Sequence, residues 1–125
     1  MPHLTSESAH SYQLQGITFH SFVASQVGAR QLAAWKADFP PNTPGAAHTM
    51  TEEEILHVLT GILDVEVDDE RFVAHAGDAI LVPAGTRFRI SNSTPEPSQA
   101  WVTTSLGMTA IMHGSEQQVV PPWAQ

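Results

Sequence analysis

Cysteine is absent from this 125-residue chain. That excludes a disulfide framework, a thiolate zinc centre, an iron–sulfur cluster and a cysteine nucleophile. Basic residues are scarce: five Lys and Arg stand against thirteen Asp and Glu, a formal charge of −8 at neutral pH. A surface of that sign repels phosphate backbones, so neither nucleic acid nor an anionic membrane is expected as a partner. No apolar run approaches the roughly 18 residues of a membrane helix. The opening Met-Pro-His-Leu-Thr-Ser-Glu-Ser has no basic stretch leading into an apolar one, so no signal peptide is expected. Gly-x-Gly-x-x-Gly and Walker phosphate loops are missing, and no serine sits in a nucleophile-elbow context. These absences leave a soluble, cytoplasmic, single domain spanning 1–125 as the expectation.

What is present points to strands. Hydrophobic residues make up 42% of the chain, enough for a core, and nine Pro and eight Gly punctuate it often. The segments between are short and rich in Val, Ile, Phe, Trp and Thr, which favours an all-β sandwich or barrel. Residues 1–14 read as a loose polar arm, followed by a strand near Thr18–Ala24 and another over Gln31–Phe39. The Pro40-Pro41-Asn42-Thr43-Pro44-Gly45 stretch is a loop. Thr51-Glu52-Glu53-Glu54 has the form of a capping box, so a short helical tip is expected there. Ile62–Val67 alternates and predicts a strand, Asp68-Asp69-Glu70 a turn, and Arg71–Ala74 a returning strand. Further strands are expected over Ala79–Val82, Phe88–Ser91 and Ala100–Leu106.

Two blocks carry a family resemblance. Gly45, His48, Glu54 and Gly61 follow the spacing Gly, His-x-His, Glu, Gly, and Gly77-Asp78, Pro83-Ala84-Gly85, Phe88 and Asn92 follow Gly-Asp, Pro-x-Gly, His, Asn. Over about 32–106 the chain resembles the cupins, and in particular small single-domain bacterial members. The closing Pro121-Pro122-Trp123 is similar to the tail of a subgroup of them. The resemblance implies a double-stranded β-helix, a jelly-roll-like β-barrel, and a homodimer. It also implies a divalent metal held by three histidines and a glutamate. Here the second histidine is Met50 and the third is Phe88, so only His48 and Glu54 of that set remain. Phenylalanine has no donor, and a thioether is soft and weak toward iron, manganese, nickel or zinc.

The reading that follows is a barrel without a cofactor. A divalent metal (Fe, Ni, Zn or Mn) held by His48 and Glu54 is the alternative. If Glu54 faces inward, Leu56 and Val58 share its face and His57 points away. His48 and Glu54 are the expected catalytic pair, with Glu54 orienting or charging the imidazole; the bland alternative is a pair bonded to each other that does no chemistry. Met50, Leu56, Phe88 and Trp35 are the expected walls of an apolar ligand site. Lys36, Asp38, Arg87 and Arg89 are expected outside, His20 in packing or a dimer contact, and His3, His10, His75 and His113 in solvent. The function expected is acid–base chemistry (isomerisation, cyclisation or dehydration) on a small, largely apolar metabolite. A metal-dependent oxygenase or isomerase and a non-catalytic ligand-binding module are the two alternatives.

Overall fold

The computed structural model describes residues 3–125, so the first two residues of the expected arm lie outside the described residues. The strands in chain order are β1 (His10–Leu14), β2 (Ile17–Val23), β3 (Leu32–Phe39), β4 (His48–Met50), β5 (Glu54–Thr60), β6 (Ile62–Val67), β7 (Glu70–His75), β8 (Ala79–Val82), β9 (Arg87–Ser91), β10 (Ser98–Ser105), β11 (Ala110–Met112) and β12 (Gln118–Val119). They form two six-stranded sheets, ordered β1-β2-β3-β10-β5-β8 and β12-β11-β4-β9-β6-β7, with every named pairing antiparallel. Consecutive strands repeatedly switch sheets: β4 and β5, β7 and β8, and β9 and β10 are each divided between the two. This is the double-stranded β-helix that the family resemblance implied.

Alternation decides which side chains meet inside. On β3, Ala33, Trp35, Ala37 and Phe39 are buried, and on β5 Glu54, Leu56 and Val58 are buried while His57 is exposed. Leu63, Val65, Ile80, Val82, Phe88, Ile90, Ala100 and Val102 complete one continuous core from both sheets. Lys36 and Asp38 face outward, as do Arg87 and Arg89 on either side of Phe88. Burying apolar area at about 25 cal/mol per Å² makes this core the main source of stability.

The motif residues outside the cavity have structural work. Gly45 and Gly61 adopt φ of +66° and +78°. A Cβ at Gly45 would overlap the Ile90 carbonyl, and one at Gly61 would overlap Ser98, so both turns need glycine for space as well as conformation. Asn92 is almost fully buried and ties the loop that follows it. Its Nδ2 donates to the carbonyls of Phe39 (3.1 Å), Pro40 (3.2 Å) and Glu96 (2.8 Å), while Oδ1 accepts from the amide and hydroxyl of Thr94 (3.0 and 2.8 Å). Gly77 and Asp78 clasp Val58 through paired backbone bonds of 2.8 and 2.9 Å.

Three expectations are corrected. Within the expected arm, His10–Leu14 is β1, which pairs along its whole length with β2 as a hairpin. No helix forms at Thr51–Glu54, which is a bend running into β5. Thr51 exchanges hydrogen bonds with Thr109 instead of capping its own chain: its amide donates to the Thr109 carbonyl (2.9 Å) and its hydroxyl accepts from the Thr109 amide (3.0 Å). Pairing across the barrel thus overrides a local propensity worth about 1 kcal/mol. The C-terminal stretch after Leu106 also contains β11, β12 and a 3-10 turn over Pro122–Ala124, none of which the apolar pattern announced.

Candidate active site

Between the sheets lies a cavity of about 110 Å³ whose wall is overwhelmingly apolar. Trp35, Met50, Leu56 and Phe88 line it together with His48 and Glu54, so the structure brings all six sequence-derived candidates to one cavity. The two polar groups come from opposite sheets: His48 from β4, Glu54 from β5. Each reaches the interior by strand parity. His48 sits directly opposite Phe88 in the β4–β9 ladder, and their rings lie 4.3 Å apart at 54°. Glu54 stands between Val82 and Thr104 in the other sheet.

His48 Nδ1 lies 2.8 Å from the Ala46 carbonyl. A carbonyl only accepts, so Nδ1 carries the hydrogen and Nε2 is the free lone pair of the neutral ring. Burial pushes the imidazole below its ordinary 6.5; the Ala46 bond opposes that shift and the nearby His113 charge adds to it. His113 approaches from the loop after β11, where its Nε2 meets the Thr49 hydroxyl at 2.6 Å.

Glu54 is 3% exposed, and its Oε2 has no hydrogen-bond partner among the described residues. Burial in this apolar setting raises its carboxyl from 4.5 to about 8, so it is protonated at neutral pH. The expected contact between the pair is therefore corrected. The imidazole bonds to Ala46, the carboxyl Oε2 is orphaned, and Glu54 neither orients nor charges His48. Two groups from separate sheets, each desolvated, have their ionisations pushed toward neutrality rather than toward an ion pair.

Several lining residues were missed by sequence reasoning. The β1–β2 hairpin contributes Leu14, Gln15, Ile17 and Phe19, and the C-terminal stretch contributes Met108, Ala110, Met112, Val119, Pro121 and Trp123. Trp123 stacks on Phe19 at 3.9 Å and 6°, and meets Trp35 edge-on at 6.5 Å. The Pro-Pro-Trp triplet was the one available signal for that closure. Outside the cavity, His20 bonds to Asp38 at 2.6 Å, and Gln99 donates to the same carboxylate at 2.9 Å. Ser11 Oγ lies 2.9 Å from the other ring nitrogen of His20. That row fastens the hairpin to β3 and β10 from outside.

A divalent metal does not fit these residues. Met50 and Phe88 fill two of the four motif positions and are buried apolar side chains at 2% and 3% exposure. Among the described residues no group of three or more His, Cys, Asp or Glu is placed to hold a metal ion.

A double-stranded β-helix with these two glycine- and proline-spaced blocks defines a cupin barrel. The cupin domain model matches residues 35–104, and the chain belongs to that family. Among solved structures, it is similar to the polyketide cyclase RemF from Streptomyces resistomycificus, with 16% identity and a TM-score of 0.76 over 84% of this chain and 79% of that one. It is also similar to a cupin-superfamily sugar phosphate isomerase from Silicibacter pomeroyi, with 19% identity and a TM-score of 0.76 over 94% and 85%. The cupin domain of Cnp3 from Schizosaccharomyces pombe matches at 19% identity and a TM-score of 0.69 over 81% and 71%. No curated protein sequence matches the chain. No helix among the described residues is long and apolar enough to cross a membrane.

Proposed function

We propose that this cupin is a metal-independent acid–base enzyme of isomerase, cyclase or dehydratase type, acting on a small apolar metabolite in the barrel. One observation carries the reading: a neutral imidazole with a free Nε2 and a carboxyl kept protonated by burial line the same apolar cavity. Paired groups whose environments hold one as base and the other as acid near pH 7 are what proton transfer at a carbonyl compound requires. Nε2 of His48 takes a proton from the carbon beside a carbonyl as the Glu54 carboxyl gives its proton to the carbonyl oxygen. The product is the enol, with imidazolium and carboxylate left behind. Returning the imidazolium proton to a different carbon, and the enol proton to Glu54, completes an isomerisation and restores both groups. Protonation of a hydroxyl by Glu54 as His48 removes the neighbouring C–H proton releases water and gives an alkene; the two protons taken up and given then restore the resting pair through solvent. The names of two similar structures, a cyclase and an isomerase, lend support at the level of reaction class.

The test is solvent exchange. With cyclohex-2-enone in deuterated water, followed by NMR, the protein is expected to accelerate exchange of the protons beside the carbonyl. His48→Ala and Glu54→Gln should each slow it by roughly 100-fold or more while circular dichroism shows intact strands. Unchanged exchange in both variants refutes the assignment.

We read the molecule further as a single cytoplasmic domain that pairs as a homodimer. The outer face of the β3-β10-β5-β8 half-sheet supports the pairing: Leu32, Ile55 and Leu81 are about half exposed there (56%, 48% and 57%). Ile55 and Leu81 are direct cross-strand neighbours. Contiguous exposed apolar side chains on a sheet face mark an interface.

A further inference from the structure

We propose that the cavity takes a neutral ligand of a single ring carrying one oxygen function, with that oxygen seated on Glu54. The inference rests on the acid–base reading only in taking this cavity as the site, and three independent features of the cavity define the class.

Size comes first. The cavity measures about 110 Å³ and is partly open to the surface; an apolar cavity of roughly 150 Å³ takes one benzene ring. A single six-membered ring that reaches partly into the opening is therefore the size this cavity suits. Fused rings exceed the volume between its walls.

Charge is the second feature. Among the described residues no Lys or Arg lines the cavity, and apart from the indole N–H groups of Trp35 and Trp123 its polar side chains are Gln15, His48 and Glu54. An anion carried inside would lose its hydration and find no fixed cation, a heavy penalty in an apolar site. Phosphorylated and carboxylated molecules are excluded on that ground, and the chain's net charge of −8 repels them before entry.

The third feature is the orphan. Glu54 Oε2 is buried among apolar side chains with no partner among the described residues, whereas the other buried polar side chains, Ser21, Thr43, Asn92, Ser98 and Thr104, are bonded. Buried polar atoms are paired in nearly every folded protein, so an unpaired one lining a cavity marks the place of a ligand atom. One carbonyl or hydroxyl oxygen satisfies it. Further hydroxyls would have only Gln15 and His48 Nε2 to share among hydrocarbon and methionine sulfur, so a sugar ring loses more hydration than it recovers. Met50 and Met108, with three rotatable bonds each, mould the wall to the ring.

The experiment is binding by isothermal calorimetry at pH 7, using phenol, cyclohex-2-enone, benzene, benzoate and 1-naphthol. Phenol and cyclohex-2-enone are expected to bind about tenfold more tightly than benzene, the worth of one buried hydrogen bond. Benzoate and 1-naphthol should not bind at the same concentrations. Glu54→Leu should reduce phenol to the affinity of benzene, and Glu54→Gln, which keeps a donor and an acceptor, should preserve the preference. Equal affinity for phenol and benzene, tight binding of benzoate or 1-naphthol, or no binding of any probe at millimolar concentration overturns the proposal. The wild-type series alone decides it should Glu54→Leu fail to fold. Probes bound in the expected order without solvent exchange would leave the ligand class standing and remove the acid–base reading.

Discussion

Glu54→Gln exchanges a buried carboxyl for an amide of nearly the same shape that does not titrate, and the effect on stability is set by protons. In the unfolded chain the carboxyl ionises near 4.5, while burial in the folded barrel holds it at about 8. Between those values the folded protein keeps a proton that the unfolded chain has released, so raising the pH favours unfolding. The stability of the native protein should fall by about 1 kcal/mol per pH unit across that window. From pH 5 to pH 8 the loss comes to roughly 3 kcal/mol, a large share of the 5–15 kcal/mol typical of a domain. Below 4.5 both states are protonated, and this dependence disappears. His48 acts in the opposite sense: its lowered ionisation means stability is gained as the pH rises toward 6.5. That contribution is present in both proteins and cancels in their difference. The amide adds a pH-independent cost of about 1–3 kcal/mol if its own hydrogens go unpaired, so the slope is the diagnostic quantity. Urea unfolding at pH 5, 6, 7 and 8 measures it, read by the fluorescence of the buried Trp35 and Trp123. Wild type should weaken with pH relative to the variant throughout. Parallel stability profiles for the two proteins would mean that Glu54 is not buried as a neutral acid, and both the protonation argument and the mechanism built on it would fail.

Turnover should follow a bell in pH, with its acid limb below 6.5, where His48 becomes protonated, and its alkaline limb near 8, where Glu54 loses its proton; a rate still rising at pH 9 contradicts the assignment of Glu54 as the acid. Met50→His with Phe88→His restores four donors at the motif positions, and the double variant should bind nickel or zinc stoichiometrically with affinity at least about 100-fold above wild type. Metal analysis after dialysis reads this, and no gain would show that the barrel interior cannot bring the four side chains to one centre. Leu81→Lys places a charge on the exposed apolar face beside Ile55, and should shift the molecule toward monomer in sedimentation at micromolar concentration by about tenfold or more in Kd. An unchanged mass would move the dimer contact elsewhere.

The barrel was legible wherever a local rule and the global fold agreed. Ile62–Val67 alternates in sequence and forms a strand with those limits. The parity argument at β5 correctly divided Glu54, Leu56 and Val58 from His57, because one buried face leaves a strand no freedom of register. Legibility failed where partners distant in sequence decide the outcome. Thr51 looks like a helix cap until Thr109, 58 residues away, takes its hydrogen bonds. His10–Leu14 reads as polar arm because an edge strand with a solvated face carries little apolar signal, and its pairing depends on Ile17–Val23. Trp123 closes the cavity through Phe19, a contact between the two ends of the chain that no spacing encodes. The state of the site was hidden for the same reason. His48 and Glu54 were visible as residues, but that Ala46 takes the imidazole hydrogen and that nothing takes Glu54 Oε2 are facts of packing.

The five hydrogen bonds around Asn92 also bear on how the protein ages. Three carbonyl oxygens, of Phe39, Pro40 and Glu96, converge on the single amide nitrogen of its side chain. Hydrolysis of that amide to an acid would replace the donor by an oxygen and set it against all three. The folded barrel shields the side chain, which is 1% exposed, but the unfolded chain presents Asn92 to water next to a small serine. Damage there is a one-way step taken only while the chain is open. Refolding yield is therefore expected to decline with time spent unfolded, in step with the deamidated form at Asn92 seen by mass spectrometry. The side chain that joins the second motif to the barrel also sets a clock on how often the molecule can be opened and closed again.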